Sequence, residues 1–183
     1  ILIGVVGSVY FWGVPLIQKN KDISTLENSE DFMRNLNTKI KNVVNSGGRD
    51  QLIINVPGLV TFDGEEINLV TDTEGVIYAT GAEIPLGRNL CAPITGTFGV
   101  NDSETLCVKS QKISDRSFRT TYTLKYVTLR SSDILRDFKI DLTGGPRRSG
   151  STDNTIIIEN EGTTSSLEGG RTLIRSIVEI NIV

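Results

Sequence analysis

Cys91 and Cys107 are the only cysteines of the chain, and they stand in a stretch rich in Gly, Thr and Pro. In an oxidising compartment they would pair and close a loop of about 16 residues, a restraint worth roughly 3 kcal/mol in the chain-entropy account. Two separate buried thiols are the alternative, while the spacing excludes a CxxC redox pair. Between the cysteines, Asn101-Asp102-Ser103 forms a sequon whose asparagine would accept a glycan if the chain is exported. Asp63-Gly-Glu-Glu66 and Asp72-Thr-Glu74 gather carboxylates. Neither has the ligand spacing of a calcium loop, so both read as solvated hairpin tips. Arg147-Arg148, in a Gly- and Ser-rich stretch, could meet an anion or a neighbouring subunit, or simply be exposed.

What is missing narrows the chemistry further. The chain has no histidine, which removes the usual general base, the commonest metal ligand and every Ser-His or Cys-His pair. Lys, Ser and Asp could act without it, but no SxxK arrangement is present. An enzyme, a cofactor and a bound metal are therefore not expected. With 19 basic and 22 acidic residues the formal charge is −3, so the electrostatic case for nucleic acid is lacking.

The elements that must carry these residues begin with an oily run, Ile1-Leu-Ile-Gly-Val-Val-Gly-Ser-Val-Tyr-Phe-Trp-Gly-Val-Pro-Leu-Ile17, without a single charge. It lacks the starting Met, basic region and small-residue cleavage site of a secretory signal peptide, and reads as a processed terminus or a trimmed chain. As a helix it would be about 26 Å long, marginal against the roughly 30 Å of a hydrocarbon core unless it tilts or the bilayer thins. Gly4, Gly7, Ser8 and Gly13 offer sites for close backbone approach, as in packed helices. Pro15 would bend the helix or open its ladder. Lipid and copies of the same segment are the two environments able to bury it.

After a polar stretch from Gln18 to Asp22, Ile23, Leu26, Met33, Leu36, Ile40 and Val43 or Val44, with Phe32, fall at three-and-four spacing. Ser24 and Glu27 match a capping box. Glu30 and Arg34 stand four apart, and Gly47-Gly48 would end the helix. One helix bent at Pro15 and two helices joined by an unwound link both fit. Beyond Gly48 the period becomes that of strands. About eight short segments rich in Ile, Val, Thr and Tyr lie between turn formers such as Pro57-Gly58, Asp63-Gly64 and Gly169-Gly170. The expected fold class is α+β, a long hydrophobic N-terminal α-helix followed by an antiparallel β-sandwich. Residues 1–46 would be the helix, with 1–17 hydrophobic and 23–46 amphipathic, and residues 49–183 the β-rich domain.

Tyr78-Ala-Thr-Gly-Ala-Glu-Ile-Pro-Leu-Gly87 and Asn45-Ser-Gly-Gly-Arg49, together with the oily start, the amphipathic continuation and the cysteine loop, resemble archaeal type IV pilin-like proteins with class III signal peptides, in mature form. The resemblance implies removal of a basic leader by a prepilin peptidase, then bundling of the oily helices into a filament core with the β-domains outside. Ile1, Leu2, Ile3, Val5, Val6, Val9, Tyr10, Phe11, Trp12, Val14, Leu16 and Ile17 would then form that core. Bacterial pilins usually carry a glutamate at the fifth mature position; Val5 stands here, which weakens the bacterial branch. The partners implied are identical subunits, the membrane before assembly and the secretion and assembly machinery, and the location is an extracellular surface filament. The other reading is a membrane-anchored extracellular β-sandwich module that binds a glycan or a protein.

Overall fold

The structure is a computed structural model that describes residues 2–92, 95–145, 147–149 and 154–183, with side chains from Leu16 onward. A single helix, α1 (Leu2–Ser46), opens the chain. Asp22, Leu26, Ser29, Met33, Leu36, Ile40 and Val43 are all buried, at alternating steps of four and three, the spacing that puts side chains on one helical stripe. The helix passes through Ser24 and Glu27, so this capping pair starts no second helix. It ends at Gly47, whose N–H donates to the Val43 carbonyl (2.9 Å). Gly47 and Gly48 take φ values of 75° and 85°, a left-handed exit open to glycine at little cost.

Two six-stranded sheets follow. The first contains, in spatial order, β1 (Arg49–Ile53), β11 (Thr155–Glu168), β12 (Arg171–Ile182), β9 (Arg136–Thr143), β8 (Thr128–Arg130) and β5 (Thr95–Thr97). The second contains β10 (Arg147–Ser149), β2 (Leu59–Phe62), β3 (Glu66–Thr73), β7 (Ser117–Tyr126), β6 (Glu104–Ser114) and β4 (Glu83–Pro85). Phe32, Met33, Leu36, Ile40 and Val43 of α1 share one buried cluster with Leu69, Val108, Tyr122 and Leu124 of the second sheet and Ile140, Ile156, Val178 and Ile180 of the first. Both sheets thus lose their apolar faces to the same helix, and that common burial is the main force joining the three layers.

The expected fold class needs correction. Among the described residues strands outweigh the single helix and form two six-stranded sheets, so the protein is mostly β rather than α+β. Among the described residues no helix is long and apolar enough to cross a membrane. The part of α1 whose side chains are described is amphipathic, with Lys19, Lys21, Glu27 and Arg34 facing outward. The sheets are not purely antiparallel either, because β9 pairs parallel with β12, and β5 with β8. The chain leaves β9 for β10 in the opposite sheet and returns through β11, so β12 re-enters beside β9 in the same direction. Only the two-sheet part of the expectation stands.

Candidate functional site

Ile1 lies outside the described residues, and so do the side chains of Leu2, Ile3, Val5, Val6, Val9, Tyr10, Phe11, Trp12 and Val14. Leu16 and Ile17, the last two residues of the oily run, are exposed on α1. The geometry available is therefore the seam where α1 leaves that run and becomes part of the domain.

Polar rungs cross this seam at successive turns of the helix. Lowest is Asp22, a buried carboxyl that accepts hydrogen bonds from the Gly75 N–H (2.7 Å) and the Gln18 side-chain amide (3.0 Å). Two turns further, the Ser29 hydroxyl donates to the Thr25 carbonyl and lies 3.5 Å from the Thr71 hydroxyl, which itself donates to the Pro57 carbonyl. The Tyr122 hydroxyl donates to the Leu26 carbonyl (2.8 Å), with the Tyr78 hydroxyl 3.3 Å away. Tyr78 in turn donates to Glu30 (2.8 Å). Arg34 bonds Glu30 and the Leu86 carbonyl (2.7 Å). Both ends of the 78–87 stretch are thereby tied to the helix. Burial, with the bond to Glu30 adding to it, pushes the Tyr78 hydroxyl up to about 12. Burial also raises the Tyr122 and Tyr126 hydroxyls above their ordinary range, so all three remain neutral donors at ordinary pH.

The top rung centres on Glu104. Asn37 donates to it at 2.8 Å, Lys41 at 3.1 Å and Ser103 at 3.0 Å, while Tyr126 donates to the Asn37 carbonyl oxygen (2.9 Å). Burial pushes the Glu104 carboxyl up, but the bonds from Asn37 and Lys41 outweigh it and hold the group below the ordinary 4.5. Beside this rung, Cys91 and Cys107 form a disulfide, and Asn89 donates to the Asp102 and Glu104 carbonyls (2.7 Å each). The cysteine loop is thus fastened close to where Asn37 and Lys41 reach the sheet.

The remaining sequence candidates scatter. Asn101 is half-buried, with its side-chain oxygen accepting the Thr97 N–H (2.8 Å). Asp63 folds its own turn by accepting the N–H groups of Glu65 and Glu66. Asp72 pairs with Arg119 (2.8 Å), whose hydrogen bond holds the carboxyl below its ordinary range. Arg147 and Arg148 are exposed in β10. Glu83 lies near Cys91 and Cys107, but their sulfurs are consumed in the disulfide and offer no thiolate to a metal. A groove of about 460 Å³ opens between Lys41, Val44, Phe98, Phe138 and Ile174. Its walls include Lys41 and Ser103, both of which donate to Glu104.

Sequence reasoning missed Asp22, Ser29, Asn37 and Glu104. Only Asp22 and Ser29 left a signal, since they complete the three-and-four stripe once polar residues are admitted to it. No protein-family model, curated protein or solved structure matches this chain.

Proposed function

We propose that the protein is a structural subunit of an archaeal type IV pilus-like extracellular filament, polymerising through its uncharged first 17 residues and serving adhesion or surface interaction. One observation carries the reading: residues 2–17 of the oily run and the domain-bound residues 18–46 belong to the same helix, Leu2–Ser46. A contact made between copies along residues 1–17 therefore positions the whole β-domain with no intervening linker. The polar rungs on Asp22, Ser29, Glu30 and Glu104 support this reading, because they fix the helix to the domain it would present.

Each buried Ile, Leu, Val or Phe contributes about 1.5–3 kcal/mol, so repetition of this segment along an array suits a strong polymer. Head-to-tail contacts that do not close yield an open helical assembly. Microscopy of material sheared from the cell surface tests the reading. Filaments containing the chain are expected, and Val9→Asp should abolish them while the Cys91–Cys107 disulfide still forms. A protein that remains in membranes as single copies overturns it.

A further inference from the structure

The end of the domain nearest the oily run differs in composition from the rest of the surface. Ser29 meets Thr71, and Asp22 bonds Gly75, so β3 descends alongside α1 toward the start of the chain. Thr71 pairs with Thr120 and Thr73 with Phe118, and β7 joins β6 through a tight hairpin, Ser114 pairing with Ser117. The tip of this hairpin continues roughly 7–10 Å past the level of Thr73, at about 3.3 Å per residue. Helix residues rise only about 1.5 Å each, which brings the tip level with the turns around Ile17 to Asp22.

Four exposed aliphatic side chains gather at this end: Leu16 and Ile17 on the helix, Ile77 just after Gly75, and Ile113 at the hairpin tip. Around them stand exposed Lys19, Lys21, Lys112 and Arg116. The carboxylates of the same end are Glu74 and Asp115, with Lys112 lying 3.2 Å from Asp115. Asp72 is occupied by Arg119, Asp22 is turned inward onto Gly75, and Glu27 lies further up the helix. Counting the exposed groups of this end with their partners, Lys19, Lys21, Lys112, Arg116 and Arg119 stand against Glu74, Asp72 and Asp115, an excess of cations in a chain whose formal charge is −3.

We propose that this end is a seat for an anionic lipid surface. Ile77 and Ile113 enter the headgroup layer beside Leu16 and Ile17, and Lys19, Lys21, Lys112 and Arg116 pair with lipid phosphates. Aliphatic tips ringed by basic residues are the side-chain set that lies stably in a membrane interface. The inference rests on the lipid-bound stage preceding assembly in the reading above, and adds that the β-domain touches the membrane as well as the helix. Before polymerisation the domain would stand in a defined orientation, with β6 and β7 against the lipid.

The test uses the full chain incorporated into vesicles of phosphatidylcholine alone or mixed with phosphatidylglycerol. An environment-sensitive fluorophore is placed at Ile113→Cys, and in a second variant at Leu167→Cys. Leu167 is also exposed but lies at the far tip of β11, opposite Thr172. The 113 probe is expected to shift to the blue and resist an aqueous quencher only on phosphatidylglycerol vesicles, while the 167 probe stays water-exposed on both. Lys112→Gln and Arg116→Gln should each lower the seated-to-unseated ratio roughly fivefold, and high salt should reverse the shift. A chain that floats with vesicles but shows the same exposure at 113 and 167 overturns the inference and leaves the filament reading standing. A chain that floats with neither vesicle overturns the lipid-bound stage, and this inference with it.

Discussion

Glu104 shows how one side chain ties distant parts of the chain together. Its donors Asn37 and Lys41 are separated from it by 67 and 63 positions, and its carboxyl is held below the ordinary 4.5. Because the unfolded chain takes up the proton first, this stabilisation is complete above about pH 4.5 and is lost as pH falls through the folded value. Thermal midpoints measured for the native chain and for Glu104→Gln should differ most near neutral pH and converge in acid. A gap that widens on acidification would contradict the assigned sign. Glu104→Ala, which strips Asn37 and Lys41 of their acceptor, should cost about 1–2 kcal/mol. None of this was legible beforehand, since an acid at the start of a strand looks like any solvated residue. The two cysteines differed: their even number and Gly-rich setting carried the pairing that the structure contains.

Among the elements, α1 was the most legible, because apolar side chains recurring at three and four announce a buried stripe wherever they occur. What that periodicity passed over is that Asp22 and Ser29 occupy stripe positions and are buried there. The stripe predicts where the helix belongs to the domain. Leu36 is fully buried whereas Leu16 is exposed, so Leu36→Ala should cost about 2–5 kcal/mol in urea unfolding, and Leu16→Ala almost nothing. Equal costs would mean that the domain holds the helix further down than its contacts indicate.

Strands were less legible. Thr155 to Glu159 announced itself through Ile156, Ile157 and Ile158, but β11 runs on to Glu168 through Gly162, two threonines and two serines, residues that read locally as loop. Val76 to Thr80 carries the β-branched and aromatic residues of a strand, yet it is a bent segment with one isolated bridge, Thr80 to Ser110, while Tyr78 carries its hydroxyl to the helix. The segment from Arg119 to Arg130 reads as one strand, yet it breaks at Val127 and changes sheets between β7 and β8. The Val127 N–H finds the Ser103 carbonyl (2.9 Å) at that crossing. Local pattern reports that a residue favours an extended backbone, and it does not report which neighbour will pair with it.

For the whole molecule, the two-layer β-architecture followed from the density of β-branched residues, whereas the parallel pairings did not, because direction is set by the route between strands. The seam of rungs along α1 also has a mechanical meaning. In a polymer joined through residues 1–17, tension enters each subunit along the helix axis. The bonds of Asp22, Tyr122, Glu30, Arg34 and Glu104 cross that axis at successive turns. A pull along the rod therefore loads them side by side in shear, rather than peeling them open one after another. Past Ser46 the backbone enters β1 at once, and β1 is hydrogen-bonded to β11 from Arg49 to Ile53. Force spectroscopy with handles at the two ends of the chain should record an abrupt rupture at high force for the native protein, and a lower, more gradual one for Asp22→Ala combined with Glu104→Ala. Identical traces would show that the load bypasses the seam. The side chains that dock the helix are, in this arrangement, what allows the β-domain to act as a rivet instead of a pendant on a filament under strain.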